Sequence, residues 1–305
     1  MNGTLVPQTA PVSTFRNSIM SDCTGVITQL FIYPVKSCAG IEVSASRLTD
    51  TGLEMDREWM IVDQDGMFLT QRQIPHLVWI TPSLTQNALV LNAPDQPEIS
   101  IPLTYRGKSL KVTVWRDTLE ADDMGDAVAE WLDRYLAVPG KQFRLVRFSA
   151  TSRRISAKEW TGDLEAPNMF SDGFAALVVT QQALDDLNDR LVTAGHEPVS
   201  MLRFRPNIVI EGLDAHTEDD LSVMRVHTAS GLIELAMAKP CPRCPIPDID
   251  PFTAHSTPTV SQTLQTYRAL PRMNGALCFG MNAVVKAGAG KSLHTGQPFE
   301  ADFAI

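Results

Sequence analysis

No stretch of the 305-residue chain stays apolar over the roughly 18 residues that a membrane-spanning helix needs. Basic charge is also short. The 26 Lys and Arg face 35 Asp and Glu, for a net charge of −9. Binding to nucleic acid or to a membrane surface needs a basic face, so neither partner is expected. Cysteine is scarce: five, an odd number, with no framework spacing. That points to a reducing compartment, and the cytoplasm is the expected location. Residues 1–22 hold Thr, Ser and Pro, one basic residue (Arg16) and no apolar block. They read as a disordered tail rather than a secretory signal. The familiar signatures are missing too. There is no Gly-Lys-Ser/Thr phosphate loop, no strand–GxGxxG–helix unit, no GxSxG elbow and no HExxH pair. The six histidines are scattered without metal-ligand spacing and read as surface or satisfied core residues.

What is present suits a soluble globular chain: 44% apolar, 20% charged, long enough for one or two domains with ample core. The fold class expected is α+β and β-rich. Residues 24–115 read as short strands separated by turns. They cover Gly25–Tyr33, Ile41–Ala45, Trp59–Val62, Met67–Thr70, Leu77–Ile80, Ala88–Leu91, Ile99–Pro102 and Leu110–Val114. That spacing suggests a barrel or sandwich. A helix is expected over Asp122–Leu136, capped by Asp122 or Asp123. Gln142–Phe148 reads as a strand and 149–173 as a long loop, of the kind that is usually functional. Then follow a strand at Ala175–Val179, a helix over Gln182–Thr193 capped by Thr180, and a strand over Phe204–Gly212. A strand pair turns at Ser230-Gly231, Ser261–Tyr267 reads as a short helix, and Leu277–Val285 as a last strand. The division between two units is expected near 115–122, giving 23–118 and 119–305, with an extensive shared interface.

The densest chemistry lies in Lys239-Pro-Cys-Pro-Arg-Cys-Pro-Ile-Pro-Asp-Ile-Asp-Pro251. Pro240, Pro242, Pro245 and Pro247 lack a backbone N–H, so neither a regular helix nor an inner strand is expected to continue here. A stiff loop holding Cys241 and Cys244 in fixed directions should result. Three readings stay open on these residues alone. The thiols are simply half-buried; they hold a structural zinc, for which no second cysteine pair exists; or one thiolate binds a soft, oxidisable metal, with Arg243 and Lys239 favouring the anion. Elsewhere Lys36-Ser37 follows a strand-ending Pro34 and offers an ammonium and a hydroxyl to an anion. Arg57 stands between Asp56 and Glu58, and Arg205 between Phe204 and Pro206.

The ordered stretches YPVKSC (33–38), DREWMIVD (56–63), FRPNIVI (204–210), CPRC…DIDP (241–251) and CFGMN (278–282) together resemble the MOSC-domain family. The resemblance is to members with an N-terminal MOSC β-barrel domain, such as the mitochondrial amidoxime-reducing components and their bacterial counterparts. It covers nearly all of 24–300. It implies an N-terminal β-barrel domain packed on a MOSC β-barrel domain with a few helices, and a bound molybdenum cofactor, a molybdopterin whose metal takes a protein cysteine. By position that ligand is Cys244. Lys36, Ser37, Arg57 and Arg205 match cofactor-binding positions, and Arg243, Asn282 and Asp172 match less closely. The implied activity is reduction of small N-hydroxylated compounds, N–OH to N–H, and it requires the basic residues to converge. The alternative within the same family is sulfur transfer or cofactor carriage through Cys244. The segment Pro245-Ile-Pro-Asp departs from the family's Thr-containing version. The remaining cysteines do not supply four grouped thiolates, so no intrinsic iron–sulfur cluster is expected. Electrons would then come from a separate flavin or iron–sulfur protein.

Overall fold

The computed structural model describes residues 21–304. The expected tail at 1–22 therefore lies almost wholly outside the described residues. Seven strands close into a barrel. In spatial order they are Ala176–Thr180, Ile208–Glu211, Cys23–Ile32, Pro298–Phe303, Leu221–Thr228, Gly231–Pro242 and Ala276–Ala287, and the last pairs back onto the first. Neighbouring strands in the ring run antiparallel, except for the pair Ala176–Thr180 and Ile208–Glu211, which is parallel. A parallel pair needs a crossover. The helix Gln181–Thr193 supplies it, and the Thr180 hydroxyl accepts from the Ala183 N–H at 3.2 Å as the expected cap, an interaction worth about 1 kcal/mol.

Strand alternation explains both layers of core. Val178, Ile208 and Ile210 point into the barrel with Ile27, Leu30, Met224 and Ile233. Leu177, Val179 and Val209 point outward, against Leu184, Leu187 and Leu191 of the crossover helix and against Phe204 and Phe279. Beside this layer, Glu218, Asp219 and Arg268 are buried, from 0% to 6% exposed.

The second unit is built from local antiparallel sheets. One has the order Trp59–Asp63, Phe143–Phe148, Asp117–Asp123, Ser109–Val114. The other is Thr81–Leu84, Ala88–Asn92, Ile99–Pro102. Helix Asp126–Leu136 packs Val128, Trp131 and Leu132 between them. No helix among the described residues is long and apolar enough to cross a membrane.

Several expectations need correction. The expected division at 115–122 falls inside a sheet, since Asp117–Asp123 pairs with Ser109–Val114 on one side and Phe143–Phe148 on the other. At the other end, Cys23–Ile32 joins the barrel, keeping only the short strand Ile41–Val43 as a partner nearby in sequence. The acidic Asp122-Asp123 pair ends a strand, and Gly125 precedes the helix instead. Leu77–Ile80, an apolar run too short to show a period, lies mostly in a 3₁₀ turn that starts at Pro75. The strand expected from Phe204 begins only at Ile208, because Arg205 takes a left-handed backbone, φ 56°. The strand at Gly231 does continue through Pro240 and Pro242. Irregularities at Met237/Lys239 and Pro240/Pro242 shift its register where the missing N–H groups would break the ladder.

Candidate functional site

One cleft gathers side chains from both units. Lys36, Ser37, Arg57, Asp172, Arg205, Arg243, Cys244 and Asn282 all line it, around a space of about 110 Å³. These are the eight positions singled out from the sequence, and the fold brings all of them together.

Unusual backbone places three of them. Ser37, Arg57 and Arg205 have φ of 69°, 48° and 56°. A left-handed backbone at a non-glycine residue costs on the order of 1 kcal/mol or more and persists only where its surroundings impose it. Here the Arg57 N–H donates to the Tyr33 carbonyl at 2.8 Å, and Gln71 Nε2 donates to the Ser37 carbonyl at 2.7 Å. Ser37 Oγ in turn donates to the Leu69 carbonyl at 3.2 Å. The strand carrying Asn282 bends at Gly280, φ 78°, where an added Cβ would come within 2.7 Å of Val179. The Asn282 backbone then pairs with Leu177 on one side and Lys239 on the other.

The charges are unevenly paired. Lys36 Nζ donates to Asp172 Oδ1 at 2.5 Å and to the Phe170 carbonyl at 2.8 Å. Burial pulls the Lys36 ammonium below its ordinary value, and the Asp172 carboxylate offsets only part of that. Partial desolvation in the cleft works against the Asp172 charge as well. The Lys36 ammonium, its hydrogen bond and a 3.1 Å donation from Trp115 Nε1 outweigh it and hold the carboxyl well below the usual range. The Asp172 side chain is 69% exposed, so solvent screens that pair on its open side. Arg57 is neutralised, with NH1 2.7 Å from both Asp56 oxygens and 2.9 Å from Asn207 Oδ1.

Arg205 and Arg243 differ. Arg205 NH1 donates to the Cys38 carbonyl at 2.7 Å, and burial, reinforced by repulsion from Arg57, pulls it down to about 10. Arg243 NH2 donates to the Phe204 carbonyl at 3.0 Å and NH1 reaches Cys241 Sγ at 3.2 Å, while its buried Nε finds no partner. Among the described residues neither guanidinium has a carboxylate within 4 Å. The Tyr33 ring lies between two cations, 4.2 Å from Arg57 and 4.3 Å from Arg205. Its hydroxyl is buried and unpartnered, and burial pushes it up to about 12 against the pull of both cations.

Both cysteines of the pair reach the cleft, but Arg243 serves Cys241. Lys239, expected beside the thiols, lies over the Trp160 ring at 4.8 Å. Among the described residues no group of three or more His, Cys, Asp or Glu is placed to hold a metal by itself.

Sequence reasoning missed Tyr33, Asn207, Arg72 and Trp115, which stand in or against the same wall. Asn207 carried a signal, since it follows Arg205-Pro206 before an apolar run. It is fully used, accepting from Arg57 and from Leu177 N at 3.1 Å and donating to the Phe31 carbonyl at 3.1 Å. Arg72 and Trp115 sit in turns and carried none. A larger chamber of about 830 Å³ adjoins the cleft and shares Thr70, Arg72, Trp115, Asp172, Gly173 and Phe174 with it.

The known families agree with this architecture. The MOSC N-terminal beta barrel domain matches residues 24–139 and the MOSC domain matches 165–300. Mitochondrial amidoxime reducing component 2 of Rattus norvegicus is 33% identical over 257 residues, 80% of this chain and 72% of that protein. The chain belongs to the MOSC family. The human mitochondrial amidoxime-reducing component 1 is likewise 33% identical, over 80% of this chain and 72% of its own length. Component 1 of Danio rerio is 31% identical over 90% and 84%. Of solved structures, the YUAD protein from Bacillus subtilis covers 93% of this chain and 98% of its own at 10% identity and a TM-score of 0.40. A likeness of that size adds nothing to the topology above. The MOSC-domain match spans five of the seven barrel strands in full, and Cys23–Ile32 belongs to the N-terminal match although it sits in the same barrel.

Proposed function

We propose that the cleft holds a molybdenum cofactor and that the chain reduces small N-hydroxylated compounds with electrons from a separate flavin or iron–sulfur protein. One observation carries the reading. Arg205 and Arg243, both lacking a carboxylate partner among the described residues, share a cleft with the Cys244 thiol. Cations left open beside a soft sulfur donor suit a group that is both anionic and metal-bearing. The orphaned Arg243 Nε is a further donor awaiting an acceptor.

In this assignment Cys244 ligates the metal. Arg205, Arg243, Lys36 and Ser37 bind the anionic pterin, with Arg57 and Asn282 on the same wall, and Asp172 holds the Lys36 ammonium in place. When bound, the cofactor supplies two-electron oxygen-atom chemistry. Across the whole reaction the N–O bond breaks, two electrons and two protons enter, and N–H and water leave. The protein's part is to orient the cofactor and tune it through the groups around the cleft.

The test is metal and pterin analysis of protein from a cofactor-competent host, with turnover of an amidoxime by a chemical reductant or an added reductase. About one molybdenum and one pterin per chain are expected, and Cys244→Ser should abolish turnover while Cys241→Ser is milder. NADH with the protein alone should give no turnover. Full molybdenum occupancy without turnover from any donor would favour sulfur transfer or cofactor carriage through Cys244. Zinc bound by both cysteines, without pterin, would end the proposal.

A further inference from the structure

The chamber beside the cleft has chemistry of its own. Two indoles from distant parts of the chain line it, Trp115 from the turn after Val114 and Trp160 from the short helix Lys158–Thr161. Trp115 is 42% exposed, and its backbone is left-handed at φ 55°. Each indole carries a cation over its face, Arg72 at 5.0 Å from the Trp115 ring and Lys239 at 4.8 Å from the Trp160 ring.

The acids of the chamber are engaged. Asp172 holds Lys36 at 2.5 Å, Asp117 holds Arg154 at 2.8 Å, and Glu159 accepts from Trp160 Nε1 at 2.5 Å. Among the described residues neither Arg72 nor Lys239 has a carboxylate within 4 Å. The exposed surface of Trp115 favours a planar ring, and a cation without a carboxylate favours an anion beside it.

We infer that this chamber selects the substrate, and that it favours planar aromatic N-hydroxylated compounds bearing an anionic substituent. The ring is held by Trp115 and Trp160, and the anion by Arg72 and Lys239. The inference rests on the reductase reading of the adjoining cleft.

The test compares reduction of para-carboxybenzamidoxime and acetamidoxime by the holoprotein, with rates expressed per bound molybdenum. Wild-type kcat/KM should favour the aromatic acid by about tenfold, a little over 1 kcal/mol. Trp160→Leu and Lys239→Gln should each cut that ratio about fivefold, through KM rather than kcat, as loss of one stacking or charge contact implies. Raising the salt should shrink the wild-type preference more than that of Lys239→Gln, which keeps only Arg72 for the anion. An unchanged ratio in both variants, with reduction intact, would overturn the inference and leave the reductase reading standing. If wild-type holoprotein reduces neither compound, the reading of the cleft fails. The chamber is then decided by titrating para-carboxybenzamidine against tryptophan fluorescence. Quenching that weakens in Lys239→Gln sustains it as a site for aromatic anions, while no quenching, or equal affinity in wild type and variant, overturns it.

Discussion

Two clusters of charge flank the stacked rings of Phe204 and Phe279, whose centroids are 3.8 Å apart. On one side is the cleft, where Arg243 lies over Phe204. On the other, His216 meets the edge of Phe279 at 5.6 Å, close to Glu218, Asp219 and Arg268. The residue types are alike but the bonding is not. In the second cluster Arg268 pairs with Asp219 and donates to the Cys278 carbonyl at 2.9 Å, and Arg272 donates to the Asp219 carbonyl at 2.7 Å. Glu218 accepts from the Thr180 hydroxyl at 2.8 Å and from its N–H at 3.3 Å. There Arg268 closes on Asp219, whose Oδ1 alone stays without a partner among the described residues, and Glu218 ties the start of the crossover helix to its turn through Thr180. In the cleft, two guanidinium groups stay open. A closed cluster belongs to stability and an open one to binding, which is the distinction to test.

Arg268→Ala should have the largest effect, because it strands the Asp219 carboxylate at 6% exposure. Breaking a buried pair this way costs about 3–5 kcal/mol. Urea denaturation should show that loss, with molybdenum per folded molecule unchanged. A mild loss would mean that the cluster is not closed.

Glu218 comes next. Burial, helped by Asp219, raises its carboxyl from 4.5 to about 7. The folded state therefore holds a proton that the unfolded state has released, and stability present below 4.5 is lost as the pH rises through 7. His216 works in the opposite direction, since burial lowers it from 6.5 to about 4, so the folded state gains stability as the pH rises through that range. The informative quantity is thus the difference between Glu218→Gln and wild type. It should grow by about 2–3 kcal/mol in favour of the variant from pH 5 to pH 8. A pH-independent difference would contradict the raised carboxyl.

Arg205→Ala tests the open side. It should lower cofactor retention by about 1.5–3 kcal/mol in affinity and leave denaturation nearly unchanged. Unfolding without a change in retention would reverse the comparison. The smallest effect is expected from Tyr33→Phe, which keeps the ring between Arg57 and Arg205 and removes a buried hydroxyl without a partner. Stability should hold or rise by up to about 1 kcal/mol, with retention unchanged.

Local signals in the chain were readable. Thr180 caps the helix whose Leu184, Leu187 and Leu191 face inward, and the strand pair turns at Ser230-Gly231 as its pattern implies. Seven of the eight cleft residues were legible through short ordered stretches rather than through any one of them, and Asp172 lies outside all of those stretches. What stayed hidden depends on distant partners. Nothing within Gly25–Tyr33 says that it pairs with Ile208–Glu211 as well as with the nearby Ile41–Val43. Asp117–Asp123 carries four acids and does not look like an inner strand, yet its neighbours on both sides make it one. The second charge cluster left no trace, because Arg268 comes from a distant segment and nothing ties it to the turn that holds His216, Glu218 and Asp219. Trp160 was part of a stretch read only as a long loop.

The seam made by Cys23–Ile32 carries a consequence for synthesis. Its two barrel partners are Ile208–Glu211 and Pro298–Phe303, and Cys23 reaches Ala301 across 278 residues. The sheets of the other unit need nothing beyond Phe148. That unit can assemble while the ribosome is still translating the barrel, whereas the earliest barrel strand must wait for the latest. The ring, and with it the cleft, closes only after the last strand has left the exit tunnel. Until then Cys23–Ile32 has a bare edge, and a nascent chain arrested before Pro298 should remain open to a protease at that strand while the residues from Trp59 to Phe148 are already protected.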